Sequence, residues 1–386
     1  MENMIRRLRI KLPSRQSAFL WGPRKTGKTT FLRKNFPDSV SFNFLDTDLF
    51  FDVSKSPSVL RHRILGLTPV QLSHPVILDE VQKIPAVMDE VHYLIEEKGL
   101  RFILCGSSAR KLRRGHANLL GGRAWRYEML PFVSAELPRF NLLKALNNGL
   151  IPSHYLQDDA QRSLTAYVQD YLKEEVASEG LVRNIPAFSR FFDAMSYSHG
   201  EMLNFANIAR DCGVEAKTVR EYYQILVDTL LGRLVAPFKR SQDRGVITRA
   251  EKFYLFDVGV AGAVLKRKIH DLKGDVFGKA FEHFIFMELA AFREYDRKDF
   301  EINYWRTKSG HEVDFVLAGG EVAVEVKGVS RVDSADMRGL RSFVDQYKPR
   351  KAILVCNERA MRRVGDIMIM PWQDFCQQLW GGDILS

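Results

Sequence analysis

The residues best suited to chemistry lie near the start of the chain. Gly22-Pro23-Arg24-Lys25-Thr26-Gly27-Lys28-Thr29 spells G-x-x-x-x-G-K-S/T, preceded by the apolar run 18–21 and followed by Thr30. Such a loop binds phosphate. Gly22 and Gly27 let the backbone fold tightly enough for successive N–H groups to face an anion. A helix expected from Phe31 adds the partial positive charge of its N-terminus. Lys28 is placed for the β- and γ-phosphates of ATP, and the Thr29 hydroxyl for Mg²⁺. Pro23, Arg24, Lys25, Thr26 and Thr30 complete the cradle.

A second element is His74-Pro75-Val76-Ile77-Leu78-Asp79-Glu80-Val81, an apolar strand tipped by adjacent carboxylates. Asp79 is expected to hold Mg²⁺ through water, and Glu80 to polarise the attacking water as general base. A third strand, 102–105, runs into Gly106-Ser107-Ser108. A hydroxyl here either reports on the γ-phosphate or caps the following helix; both readings stand. The basic segment 110–116 then leads to Gly121-Gly122-Arg123. Arg123 is the candidate for completing a neighbouring subunit's site by stabilising charge on the leaving phosphate. Otherwise these arginines form a solvated or polyanion-facing surface.

The C-terminal third holds another constellation. Glu312-Val313-Asp314-Phe315-Val316-Leu317 and Val322-Ala323-Val324-Glu325-Val326-Lys327 alternate apolar and polar residues around Gly319-Gly320. They read as a tight hairpin. With the two glycines as loop residues, Asp314 faces Glu325 and Glu312 faces Lys327. Like charges directly opposite destabilise a sheet. A divalent cation between Asp314 and Glu325 resolves that, with Lys327 placed to stabilise a displaced phosphate oxygen. Charge balance without metal, through Lys327 facing Glu312 beside the acids, is the alternative. A one-residue slip in register sends the acids to opposite faces.

The elements around these sites alternate at first. Strands are expected at 40–45, 75–78 and 101–105, with a helix at 87–97 burying Val91, Leu94 and Ile95. Alternation around a phosphate loop implies an α/β core with a mostly parallel sheet. From 142 to 200 the pattern is helical. Leu164, Tyr167, Val168, Tyr171 and Leu172, then Phe188, Phe191, Phe192 and Met195, follow the 3-4 spacing of a packing face. This segment is read as a lid beside the nucleotide. Residues 204–238 read as a helix-turn-helix with Gly213 in the turn, and Lys239, Arg240 and Arg244 as part of a basic wing. Its second helix sets Glu215 and Glu221 against Lys217 and Arg220, a near-neutral balance poorly suited to phosphate contacts.

Taken together, Gly22 to Thr30, Ile77 to Val81, Gly106 to Ser108 and Gly122-Arg123 resemble the AAA-type P-loop ATPases of bacteria and archaea. Those proteins carry Walker A and Walker B motifs and a C-terminal domain of unknown function. The resemblance implies an ATPase core (1–140), a helical lid (141–200) and a winged-helix-like part (201–250). It also implies a restriction-endonuclease-like α/β domain (251–386) similar to the PD-(D/E)XK nucleases. Asp314, Glu325 and Lys327 match the D…E-x-K pattern, and Glu282 resembles the helix-borne acid. Val313 stands where the pattern has proline, and Gln346-Tyr347 comes late in the following helix.

Composition sets the outer bounds. A length of 386 residues suggests two to three domains, and 46% hydrophobic with 27% charged residues is ordinary globular composition. Lys and Arg number 57 against 47 Asp and Glu, so the net charge of +10 favours an anionic partner, nucleic acid (DNA or RNA) first. A protein partner and a homo-oligomer are the further expectations. Cys105, Cys212, Cys356 and Cys376 show no C-x-x-C spacing, which fits a reducing cytoplasm and not a disulfide framework or a zinc site. No apolar run approaches the ~18 residues of a membrane span, and no apolar stretch follows the basic N-terminus as a secretory signal requires.

Overall fold

Strand β1 (Ser17–Trp21) is buried at every position, which is why it reads as an apolar run from Ala18 to Trp21. A computed structural model describes residues 5–107, 110, 112, 120–158, 160–172, 182, 184–240 and 250–385. Ser108, Lys111, residues 113–116, Arg244 and the side chain of Tyr171, all drawn on above, lie outside the described residues. The chain forms two compact units. One comprises Leu8–Leu130 with Asp228–Leu231, and the other holds the remainder.

In the first unit β2 (Ser41–Asn43), β3 (Val76–Asp79), β4 (Phe102–Gly106) and β5 (Ala124–Glu128) join β1 in the order β2-β3-β4-β1-β5. Every pairing is parallel. All carboxyl ends therefore share one edge, the edge at which open α/β sheets bind ligands. Gly22 follows β1, Asp79 ends β3 and Ser107 follows β4, so strand order alone gathers them. The helix Val87–Lys98 buries Val91, Leu94 and Ile95 as their spacing requires. The helix after the phosphate loop begins at Lys28 and not at Phe31, because Gly27 adopts a left-handed φ of 93° as its N-cap.

The second unit joins helices to a six-stranded sheet. Phe188, Phe191, Phe192 and Met195 on the helix Ile185–Tyr197 are buried, with the Phe191 ring edge-on to Tyr223 at 4.9 Å. The stripe is packing core. The helices Phe205–Cys212 and Ala216–Asp228 flank Gly213, whose φ of 65° makes the turn. Strands β6 (Gly232–Val235) and β7 (Lys252–Leu255) follow as an antiparallel pair. The long helix Gly274–Tyr295 leads into β8 (Ile302–Arg306), β9 (Glu312–Leu317) and β10 (Val322–Val326), paired antiparallel in sequence. The helix Arg338–Tyr347 then precedes β11 (Lys351–Cys356), which is parallel to β10. Strands β12 (Arg362–Val364) and β13 (Ile367–Pro371) complete the order β12-β13-β11-β10-β9-β8. Among the described residues no helix is long and apolar enough to cross a membrane.

One carboxyl ties the long helix to distant chain. Glu288, fully buried, accepts from Ser134 N (2.7 Å), Ser134 Oγ (2.9 Å) and Trp380 Nε1 (2.6 Å). Burial pushes its pKa from 4.5 up to about 7 despite these donors. Between those values the folded state binds more protons than the unfolded chain. The stability Glu288 contributes is therefore fully present below pH 4.5 and lost as pH rises through about 7. Glu288→Gln removes this titration. Relative to the variant, the wild type should lose roughly 3 kcal/mol of unfolding free energy between pH 4 and 8. Urea denaturation of both proteins at the two pH values measures it; a constant difference sinks the assignment.

Candidate functional site

The phosphate loop closes on itself. Lys25 and Gly27 take left-handed φ values of 62° and 93°, and Thr26 Oγ1 donates to Pro23 O at 2.8 Å. The buried Lys28 ammonium donates to Gly22 O (2.6 Å) and Pro23 O (2.9 Å), so its charge is satisfied by loop carbonyls that phosphate oxygens can replace. Gly22 cannot carry a side chain: a Cβ there would stand 2.3 Å from Met129 O. Arg24, Lys25 and Thr30 are exposed at the rim. Thr29 Oγ1 donates to Asp79 Oδ2 at 2.7 Å, joining the two motifs directly. A hydroxyl and a carboxylate oxygen so close suit Mg²⁺, a hard cation that takes oxygen ligands. A cleft of about 360 Å³, lined by Thr29, Arg33, Asn43 and Asp79 among others, opens beside this pair. Cys105 lies opposite Asp79 in the sheet. Burial and the Asp79 charge raise its thiol well above its ordinary pKa, so it stays neutral.

Glu80 sits at φ 59°, and the tight turn Val81–Lys83 swings Gln82 back over the sheet edge. Gln82 Nε2 donates to Glu80 Oε2 (2.6 Å) and to Ser107 Oγ (3.1 Å). Sequence reasoning missed this residue. It joins the expected water-activating acid to the expected phosphate reporter, and Gly106 leaves room for it, since a Cβ there would meet Gln82 Oε1 at 2.2 Å. The available signal was an amide two residues after the Asp-Glu pair, with glycine just before Ser107.

Arg123 stands elsewhere. Its carbonyl accepts from Ser17 N, at the first residue of β1, whereas the loop follows the last. It is at the amino-end edge of the sheet, paired with Glu96, and the fold does not bring it to the loop of its own chain.

In the second unit the hairpin register is as read. Leu317 pairs with Val322 and Phe315 with Val324, which sets Asp314 against Glu325. Gly319 and Gly320 have φ of 64° and 96°, as a I′-type turn needs. The strands are not half-buried, however. Asp314 is 7% and Glu325 4% exposed, because β9 and β10 are interior strands of the sheet. Val316 and Ala323 share the acids' face and pack with Leu340 and Phe343 of the helix Arg338–Tyr347.

The cluster is larger than the sequence suggested. Lys327 Nζ pairs with Glu325 Oε1 (2.6 Å), and Asp314 Oδ2 accepts from Val326 N (2.8 Å). Buried Lys252, unanticipated, contacts Glu312 Oε1 (2.6 Å) and Glu282 Oε1 (3.5 Å). Tyr254 OH donates to Glu282, and Arg306 pairs with Glu312. Burial and then the Glu325 and Glu282 charges push Asp314 well above its ordinary pKa. Burial carries Glu325 to about 7 against the pull of Lys327. The facing pair thus retains a proton near neutrality. Glu325 Oε2 is buried with no hydrogen-bond partner, an oxygen a cation would satisfy. A cleft of about 370 Å³ reaches Glu325 and Lys327, lined also by His311, Glu312 and Arg338. Yet Glu282 is engaged by Tyr254 and Lys252, and no three His, Cys, Asp or Glu side chains among the described residues form a group that could hold a metal ion.

Comparison with known proteins places the first unit. Residues 14–137 match the AAA domain family, which supports a P-loop ATPase family and agrees with the parallel sheet and its loop. Residues 139–271 and 277–375 match two domains of unknown function, DUF8612 and DUF4143. Uncharacterized proteins of Mycobacterium tuberculosis and Mycobacterium bovis are each 25% identical over 95% of this chain and 82% of their own length. One from Methanocaldococcus jannaschii is 23% identical over 81% of this chain and 75% of its own. The solved structure of the Aeropyrum pernix ORC1 protein in complex with DNA aligns with 65% of this chain and 86% of that one. At 13% identity and a TM-score of 0.24 it bears on neither fold nor function.

Lys252 is the residue whose removal should expose how the cluster is balanced. Taking away one partner of a buried ion pair leaves uncompensated charge, at a cost of about 3–5 kcal/mol. Lys252→Met should destabilise by about that amount, and Lys252→Met/Glu312→Gln should recover a third or more of it. Chemical denaturation of the single and double variants tests this; strictly additive losses would show that the pair is not coupled.

Proposed function

We propose that the protein binds and hydrolyses ATP with Mg²⁺ in its first unit, and that its C-terminal domain binds or acts on nucleic acid. The observation that carries the first part is the 2.7 Å bond between Thr29 and Asp79. Lys28 exchanges loop carbonyls for β- and γ-phosphate oxygens, and the loop N–H groups hold the remainder. Mg²⁺, when bound by Thr29 and Asp79, supplies neutralising charge at those oxygens. Glu80 takes the proton of the attacking water, and Gln82 positions it while bridging to Ser107. Because Arg123 lies at the far edge of its own sheet, a catalytic role for it belongs to a homo-oligomer. The helices of 141–200 acting as a lid are part of the same proposal.

The second part is supported by the Asp314, Glu325 and Lys327 constellation, its cleft, and the net charge of +10. The order of one long helix, three antiparallel strands, a crossing helix and a parallel strand is similar to the PD-(D/E)XK fold. The geometry fits a catalytic metal only in part. A second reading, a nucleotide-switched binding module with an inactive nuclease-like fold, is favoured by the engagement of Glu282 with Tyr254 and Lys252.

ATP titration and turnover, with and without DNA or RNA, test the proposal. Lys28→Ala should abolish ATP affinity. Glu80→Gln should bind ATP with turnover lowered by about 100-fold or more, and Gln82→Ala should lower kcat about tenfold with KM little changed. Wild type without affinity for ATP in Mg²⁺ overturns the first part. With Mn²⁺ present, cleavage by wild type and none by a folded Asp314→Asn/Glu325→Gln variant supports a nuclease; binding without cleavage in both supports the second reading.

A further inference from the structure

The second unit has a basic cleft that none of the chemistry above employs. It encloses about 480 Å³, a volume typical of ligand sites, between the end of the helix Ile185–Tyr197, residues 265–268 and the start of the helix Gly274–Tyr295. Lys266, Arg267, Lys268 and Lys279 line it together with His199, and no acidic residue is among its described lining. Arg267 is fixed in the wall, Nη2 donating to Val258 O at 3.2 Å, while its Nε is buried with no hydrogen-bond partner. Lys279 pairs with Glu201 at 2.8 Å, and both remain exposed. At the rim stands Tyr197, an aromatic ring with 85% of the residue in solvent.

Glu201 offsets only one of the four cations, so the excess positive charge calls for an anion, and the exposed Tyr197 ring offers a stacking face beside it. We propose that this cleft receives the backbone phosphates of a single nucleic-acid strand, with one base stacked on Tyr197. Single strands are held by this combination of a positive groove and an aromatic platform. A duplex does not fit as well, because its base faces are already stacked and its phosphates lie on a broad convex surface. The winged-helix-like part is a poorer candidate for phosphate contact. Its second helix offers Lys217 and Arg220 against Glu221, and Arg220 lies over the Phe205 ring at 4.8 Å. The cleft also lies one helical turn before Glu282 on the same helix, since Lys279 and Glu282 are three residues apart. The inference rests on nucleic acid being the partner of this unit.

The test is fluorescence anisotropy of the full chain with labelled oligothymidylate, oligouridylate and a duplex of equal length, across a salt series. Wild type should bind at least one of the two single strands tighter than the duplex. Lys266→Ala/Lys268→Ala should weaken that binding and reduce the salt slope by about 1.4, the value for two lost contacts on single strands. Tyr197→Ala should weaken it about tenfold with the slope unchanged. All three side chains are at the surface, and equal melting temperatures verify folding. Undiminished binding in the lysine variant overturns the cleft and leaves the nucleic-acid reading intact. Lysine dependence with no effect of Tyr197→Ala, or tighter binding of duplex, overturns the single-strand assignment. No binding of any nucleic acid by wild type at low salt overturns the nucleic-acid reading and this inference together.

Discussion

The contact between Thr29 and Asp79 is the constraint on which the first unit depends. It joins the first turn of the helix after the phosphate loop to the end of a strand two places away in the sheet. That contact exists because the strands are parallel and ordered β3-β4-β1, so the carboxyl ends meet on one edge. Strand β4 fills the place between and delivers Ser107 to the same edge. The result is a row of polar groups at one rim of an apolar sheet: Lys28 on its carbonyls, Thr29 on Asp79, and Gln82 between Glu80 and Ser107. Each is already hydrogen-bonded, so a ligand meets groups held in place and need only exchange partners.

The second unit solves a different electrostatic problem. Glu282, Glu312, Asp314 and Glu325 sit at or near the interior of a sheet, with Lys252, Lys327 and Arg306 against them. Burial raises the pKa of the facing pair, and the cations restrain the rise without cancelling it. Lys252 itself stays charged because the surrounding carboxylates outweigh its own burial. Its two ion pairs, to Glu282 and Glu312, reach helix and strand at once. A cluster of this kind is costly unless every member is paired, so Glu325 Oε2, which has no partner, is the point where the arrangement is open.

Much of this was legible in the chain. The phosphate loop is a local object: glycine positions, one lysine and one threonine specify it without reference to distant residues. The Gly319-Gly320 turn fixes the register of its hairpin, so the opposition of Asp314 and Glu325 followed from counting residues. The aromatic stripe at Phe188 to Met195 was readable from spacing because helical packing repeats every three to four residues. Less legible was burial. β9 and β10 are inner strands with the helix Arg338–Tyr347 packed on the acids' face, which the alternation by itself does not reveal.

What the sequence by itself determined, then, was the loop, the acid-tipped strand and the facing carboxylates, because each is set by backbone geometry within a few residues. Tertiary structure alone decided that Gln82 meets Ser107, that Lys252 meets Glu312, and that Arg123 lies at the opposite edge from the loop. The Gln82–Ser107 contact spans 25 residues and the others more, and all follow from strand order and helix packing. Local periodicity carries no record of which strand lies beside which; the burial of the whole core selects that.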